Sequence, residues 1–204
     1  SRTDGGCSCC EKDNLNLYIF DIISIMKSRK FKIAVAGAIE THDCGLDVLD
    51  IAKRIGKSVA KAGHFLVTGS HHGFPQFAAI GAKDRGGEVI YFSPAANLVE
   101  HKDAYRLDSD NADIIVYTGF GFVGSQIFMT RSSDAVVIGC GKLDAIHEFT
   151  LALQEGKPVG VLKGAWETDE VIKRLVGENP GSHSAVIFED DPERLVSKLL
   201  ELIK

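Results

Sequence analysis

From residue 31 onward the chain alternates short apolar runs with longer amphipathic segments, and this alternation constrains the fold more than any other feature. "FKIAVAG" (31–37) is a continuous apolar run closed by Gly37, the pattern of a strand buried on both faces. "LDVLDIAKRIGKSVAKAG" (46–63) then places apolar residues at 46, 48, 49, 52, 55, 59 and 62, which share one helical face, and Gly63 stops the helix. The same reading predicts strands at 64–69, 88–93, 114–119, 134–139, 158–164 and 184–189. Helices are predicted at 75–87, 123–132, 143–155, 167–177 and 191–204, the last with Pro192 in its first turn. Strands that alternate with helices pair in parallel and must be covered on both faces. The expectation is therefore an α/β protein, a three-layer Rossmann-like fold with a mostly parallel sheet of about seven strands. The polar stretch 94–113 has no period and reads as a long loop or lid.

Residues 31–204 read as a single nucleotide-binding domain, and residues 1–30 as an N-terminal extension that is either irregular or an added helix. In that extension an apolar segment, "LNLYIFDIISIM", precedes "KSRK", the reverse of the order in a secretory signal. Met26 stands just before the first strand, which makes it a candidate start of the native domain. Three of the five cysteines, Cys7, Cys9 and Cys10, crowd into "CSCC", with no second cluster to complete a metal site, so no metal is expected. Cys44 and Cys140 stand isolated, and an odd count cannot pair fully, which points to a reducing, cytoplasmic setting. A net charge of −5 argues against a general nucleic-acid-binding role. No apolar run is long enough to span a membrane.

Ligands of open parallel sheets bind beyond the carboxyl ends of the strands. That rule selects the loops at 37–45, 69–75, 93–113, 119–124 and 139–144. The first contributes Gly37. The second, "TGSHHGFP", contributes Gly69, Ser70, His71, His72 and Gly73, glycines for close backbone approach and histidines of tunable charge. "TGFGFVGSQ" (118–126) sets Gly119, Gly121 and Gly124 in a G-x-G-x-x-G spacing. It follows the fourth strand rather than the first and lacks the acidic residue of a dinucleotide site, so a dinucleotide-dependent oxidoreductase is a distant alternative. "IGCGKLDAIHEF" (138–149) puts Gly139, Gly141 and Lys142 at a helix start, where unpaired amides and a cation favour phosphate. Asp144 and Glu148 share a face of that helix, with His147 beside it. Glu148 is either a ligand-facing carboxylate or a solvated helix residue, and Asp144 either a site residue or a cap of the first turn.

The order and spacing of "FKIAVAG", "AGHFLVTGSHHGFPQFAAIGAKDRGGEVIYFSP" and "SSDAVVIGCGKLDAIHEFTLALQEGKPVGVL" resemble the LONELY GUY/SLOG superfamily of Rossmann-like nucleotide-binding proteins. That superfamily includes phosphoribohydrolases and molybdenum-cofactor carrier-like proteins. The resemblance implies a homodimer, a phosphorylated ligand and a glutamate, here Glu148, that acts in cleaving the N-glycosidic bond of nucleoside 5′-monophosphates. The family's P-G-G-x-G-T-x-x-E signature falls on residues 140–148, where only Gly141 and Glu148 are kept. The slot of the family's catalytic arginine falls near Ser125 and Gln126; Arg131 and Arg106 are the remaining candidate cations. The expected function is thus binding of a nucleoside monophosphate or related phosphorylated ligand, with phosphoribohydrolase activity as the alternative. No cofactor is expected beyond a bound nucleotide. "SQIFMT" carries Ile127, Phe128 and Met129 in succession, so at least one must point away from the sheet and could serve a dimer contact.

Overall fold

Alternation along the first strand decides the layers. In β1 (Lys32–Ala36), Ile33 and Val35 enter one core, and Ala34 and Ala36 enter the other, all fully or almost fully buried. The computed structural model describes residues 29–178 and 185–203. The cysteine cluster, the apolar segment of the extension and Met26 lie outside the described residues. After β1 come α1 (Val48–Lys61), β2 (Phe65–Gly69), α2 (Phe74–Lys83), β3 (Val89–Ser93) and β4 (Ile114–Tyr117). Then follow α3 (Gly121–Ser132), β5 (Ala135–Ile138), α4 (Leu143–Gln154), β6 (Val159–Leu162), α5 (Thr168–Glu178), β7 (Val186–Glu189) and α6 (Pro192–Glu201).

The strands form one seven-stranded sheet in the order β4-β3-β2-β1-β5-β6-β7, and every pairing is parallel. α1, α2 and α6 cover one face through Ile55, Val59, Phe74 and Leu195; α3, α4 and α5 cover the other through Met129, Phe149 and Ile172. This is the Rossmann-like α/β fold that the sequence predicts. The chain order reverses between β1 and β5, which are paired neighbours, so the switch point lies between them. Both strand ends there are glycine, and the reason is one side chain. Phe74, the first residue of α2, is fully buried. A Cβ on Gly37 would sit 2.7 Å from its ring, and one on Gly139 2.2 Å from it.

The stretch 94–113, expected as a long loop or lid, is irregular apart from one short turn and is held at both ends. It contains a short π-helical turn, Glu100–Ala104, whose His101 is fully buried. His101 Nε2 lies 3.0 Å from the Asp108 carbonyl, which can only accept, so Nε2 carries the proton. His101 Nδ1 therefore accepts from the Ser93 hydroxyl at 2.8 Å. The Tyr91 hydroxyl donates to Asp108 at 3.1 Å and fixes the far end of the segment. Sequence reading missed this because one buried histidine leaves no periodic trace.

An apolar surface remains uncovered at one side of the sheet. Phe120, Phe122, Val123, Ile127 and Phe128, at or within α3, are exposed, whereas Met129 is buried. Ile114 and Val116 of β4 are exposed too, and their register with Ile90 and Phe92 puts them on the α3 side.

Gly73 caps α2 with φ +75° and ψ −140°, and a Cβ there would meet the Ile39 and Ala38 carbonyl oxygens at 2.2 and 2.5 Å. Backbone atoms cannot yield as side chains do. Gly73→Ala should therefore destabilise the fold by about 3 kcal/mol, combining backbone strain with overpacking. Gly86→Ala, at φ +68° but with nothing within 4 Å, should cost only about 1 kcal/mol. Urea unfolding midpoints of the two variants check the difference.

Candidate functional site

Two cavities open at the carboxyl edge, on either side of the segment that leaves β1. The larger, about 320 Å³, lies between the loops after β1, β5 and β6 and is lined by Glu40, Asp43, Cys44, Cys140, Lys142 and Trp166 among others. The smaller is a narrow crevice of about 10 Å³ that gathers Gly37, Thr68, Gly69, His71, Gln126, Asp144 and Glu148. The helix-periodic spacing of Asp144 and Glu148 does bring them to one place, on the first two turns of α4.

Glu148 is 6% exposed, so it is not a solvated helix residue. Burial pushes its carboxyl up to about 8, and the neighbouring Asp144 carboxylate adds to the shift. Glu148 is therefore mostly protonated at neutral pH. His71 shares the crevice, and its burial holds the imidazole below the ordinary value; Asp144 opposes that shift and His72 reinforces it. The His71 ring also packs 4.9 Å from Phe122, which in turn meets Tyr105 at 5.2 Å. The crevice thus offers a neutral acid and a neutral imidazole side by side.

The other predicted site residues are placed less simply. Gly37 and Gly139 accommodate Phe74, and Gly73 accommodates the β1 loop, so their smallness serves packing. Gly69 faces His71, whose ring a Cβ would meet at 2.7 Å. Ser70 is fully buried, and its hydroxyl has no partner among the described residues. His72 parts from His71: it is exposed and lines a separate groove with Gln76, Lys102 and Arg106. Gly119 and Gly121 spend their amides on the carbonyls of Ala95 and Pro94, at 2.9 and 3.1 Å. Those amides are not presented to a diphosphate, which removes the support that the glycine spacing gave to a dinucleotide site.

The turn before α4 is also occupied. The Gly141 amide donates to the Thr168 hydroxyl at 3.1 Å, and that hydroxyl donates to the Gly141 carbonyl. Lys142 pairs with Asp43 at the surface. Lys142, at the N-cap, supplies no side-chain cap to α4, and Gly73 and Phe120 supply none to α2 and α3. In α6, by contrast, Asp191 accepts from the Arg194 amide at 2.8 Å. Asp144 caps nothing; it is exposed in the first turn and lines the crevice.

The arginine slot resolves plainly. Ser125 is buried, with its hydroxyl turned onto the Phe122 carbonyl, and Gln126 faces the crevice. Arg131 pairs with Glu155, and Arg106 lines the His72 groove, so neither lines the crevice that holds Glu148.

Two further features lay beyond sequence reasoning. The loop after β6 brings Trp166, Glu167 and Thr168 to the larger cavity or its rim, and it follows from the rule for strand ends once β6 is known to neighbour β5. The other feature is a correction. Cys44 and Cys140, read as isolated, are joined by a disulfide across 96 residues, with Cα atoms 5.9 Å apart. Their separation hid it, because neither residue stands in any cysteine pattern. An odd total of five does not say which thiols stay unpaired, so it gave no sound argument for a reducing setting.

The fold is matched by known proteins. The model of the SLOG cluster4 family matches residues 30–196. The chain belongs to the SLOG cluster4 family. A protein of Archaeoglobus fulgidus, described only as uncharacterized, is 35% identical over 132 residues, covering 65% of this chain and 82% of its own. Among solved structures, the molybdenum cofactor binding protein of Rippkaea orientalis is 27% identical with a TM-score of 0.71, over 86% of this chain and 99% of that one. The molybdenum cofactor carrier protein of Chlamydomonas reinhardtii is 29% identical with a TM-score of 0.69, over 85% and 98%. This SLOG chain thus belongs to the Rossmann-like superfamily that its motifs resemble.

The Glu148 shift sets a pH dependence. Its folded value lies above its unfolded one, so the folded state holds the proton more tightly. The resulting stability is complete below the unfolded value, near 4.5, and is lost as pH rises through about 8. Glu148→Gln removes this linkage. The melting temperature of the wild type should fall relative to that of the variant between about pH 5 and about pH 9. Parallel curves for the two proteins would contradict the assignment.

Proposed function

We propose that this SLOG protein binds a small phosphorylated heterocycle, a nucleoside monophosphate or a phosphorylated pterin, and does not hydrolyse it. The observation that carries this reading is the combination in the crevice of a neutral Glu148 with an uncharged Gln126 in the arginine slot. A carboxylate must be ionised to stabilise positive charge developing on a ribose, and a protonated Glu148 cannot do so. Loss of one such electrostatic group commonly costs about a hundredfold to a thousandfold in rate. Binding makes no such demand, because a phosphate cradle holds ground and transition states about equally.

The ligand sits in the larger cavity, at the switch point where open α/β sheets take theirs. Its volume, about 320 Å³, lies in the range of small-molecule sites. Trp166 provides an aromatic wall for a flat ring. Lys142 leaves Asp43 for the phosphate, which also receives the uncapped start of α4. The likeness to proteins that bind or carry the molybdenum cofactor supports the pterin alternative. The exposed apolar surface of α3 and β4 supports a homodimer, since a patch of that kind favours burial between subunits.

Calorimetric titration with AMP and with adenosine tests the ligand assignment. Lys142→Ala should weaken AMP binding about tenfold and leave adenosine nearly unchanged, as expected for loss of one phosphate contact. Equal losses for both would remove Lys142 from the phosphate site. Incubation with AMP should release no free adenine; robust release that Glu148→Ala abolishes would make the protein a phosphoribohydrolase. Light scattering at micromolar concentration should give the mass of a dimer, and Phe128→Glu should shift it to that of a monomer.

A further inference from the structure

The loop between β1 and α1 has little to hold it. From Ile39 to Asp47, Cys44 is the one buried side chain. Its other ties are at the backbone or the surface: the Ile39 carbonyl packs on Gly73, the Asp47 carbonyl accepts from the Ile51 amide at 3.0 Å, the Cys44 amide donates to the Thr41 carbonyl at 3.0 Å, and Asp43 meets His42 and Lys142. The disulfide fastens this loop to Cys140, just beyond β5, and both cysteines are buried and line the larger cavity. Cys140 is followed directly by Gly141, which exchanges two hydrogen bonds with Thr168, two residues beyond Trp166. The bond therefore joins all three loops that enclose the cavity. Glu40 and Asp43 belong to the segment it fastens.

We propose that Cys44–Cys140 is a redox-modification site, a thiol–disulfide exchange centre acted on by a small thiol or dithiol, whose state sets the order of the cavity wall. Exchange begins with a reductant thiolate attacking Cys44 Sγ, on the weakly held loop. Cys140 leaves as the thiolate, next to the start of α4, where a negative charge is favoured. A second reductant thiol then attacks the reductant sulfur of the mixed disulfide and displaces Cys44. Two electrons and two protons pass to the protein, both cysteines end as thiols, and the reductant ends as its own disulfide. Sulfurs bonded at about 2 Å must separate to van der Waals contact, near 3.5–4 Å, so the loop moves off Cys140 and loses its one buried anchor. A ligand then has to order the loop on binding, which weakens affinity by about tenfold.

The test uses the full chain, in which Trp166 is the single tryptophan and lines the same cavity as the disulfide. Protein prepared in air is compared with protein reduced by dithiothreitol. Site-resolved alkylation by mass spectrometry, Trp166 emission, melting temperature and calorimetry with AMP are measured on both. Cys44 and Cys140 should be alkylated only after reduction, with the chain still folded. Trp166 emission should rise, because a nearby disulfide quenches indole by accepting an electron and thiols do so less. AMP affinity should fall about tenfold, and reoxidation should restore it. The Cys44→Ala/Cys140→Ala variant should sit at the reduced values and ignore dithiothreitol. Alkylation of both cysteines before reduction overturns the proposal. So does reduction that changes neither emission nor affinity, or that unfolds the chain, since the bond is then absent or a plain staple. The affinity arm alone rests on the ligand reading above: a change in Trp166 emission on reversible reduction, with no AMP bound in either state, supports the redox site and counts against AMP-type ligands.

Discussion

The seat of Phe74 is the constraint on which the carboxyl edge depends. Its ring is fully buried against Gly37 and Gly139, the residues that directly follow β1 and β5. Its amide donates to the Ala38 carbonyl at 2.9 Å, and the Ala38 amide donates to the Cys140 carbonyl at 2.6 Å. One aromatic side chain thus brings the start of α2 under two neighbouring strand ends and fixes the backbone that divides the two cavities. Two of the glycines that looked like ligand contacts, Gly37 and Gly139, owe their size to this packing. Close approach of backbone to ligand and close approach of backbone to an aromatic ring demand the same residue, so the glycine alone cannot tell them apart.

Around that fixed point the site divides by polarity. The narrow side buries a carboxyl beside an imidazole and a glutamine, with Asp144 supplying the one exposed charge at its edge. Desolvation there favours neutral forms of both titratable groups. The wide side keeps Lys142 paired with Asp43 at the surface and adds an indole wall. The narrow side thus favours uncharged groups, and the wide side keeps the open space.

The segment 94–113 shows how a long connection with only one short helical turn can be held by side-chain anchors. His101 satisfies both ring nitrogens inside the protein, so the turn that carries it is fixed to the end of β3. That anchor also holds Tyr105 where it meets Phe122, and Phe122 in turn meets His71. Anchoring of this kind is the ordinary answer to a buried polar group, which must find partners or cost stability.

The sequence by itself determined the elements, their order and the parallel sheet, because apolar periodicity is local and strand–helix alternation admits few topologies. It also placed Asp144 and Glu148 on one helical face, since spacing along a helix is fixed by its geometry. Only the tertiary structure decided which of the candidate residues meet. His71 and His72 are adjacent in the chain yet line different cavities, whereas Cys44 and Cys140 are far apart yet bonded. Thr168 and Trp166 reached the site through the pairing of β6 with β5, and the ionisation of Glu148 followed from its burial. Each of these depends on distances between elements and on exclusion of water, and neither quantity is written in any local stretch of residues.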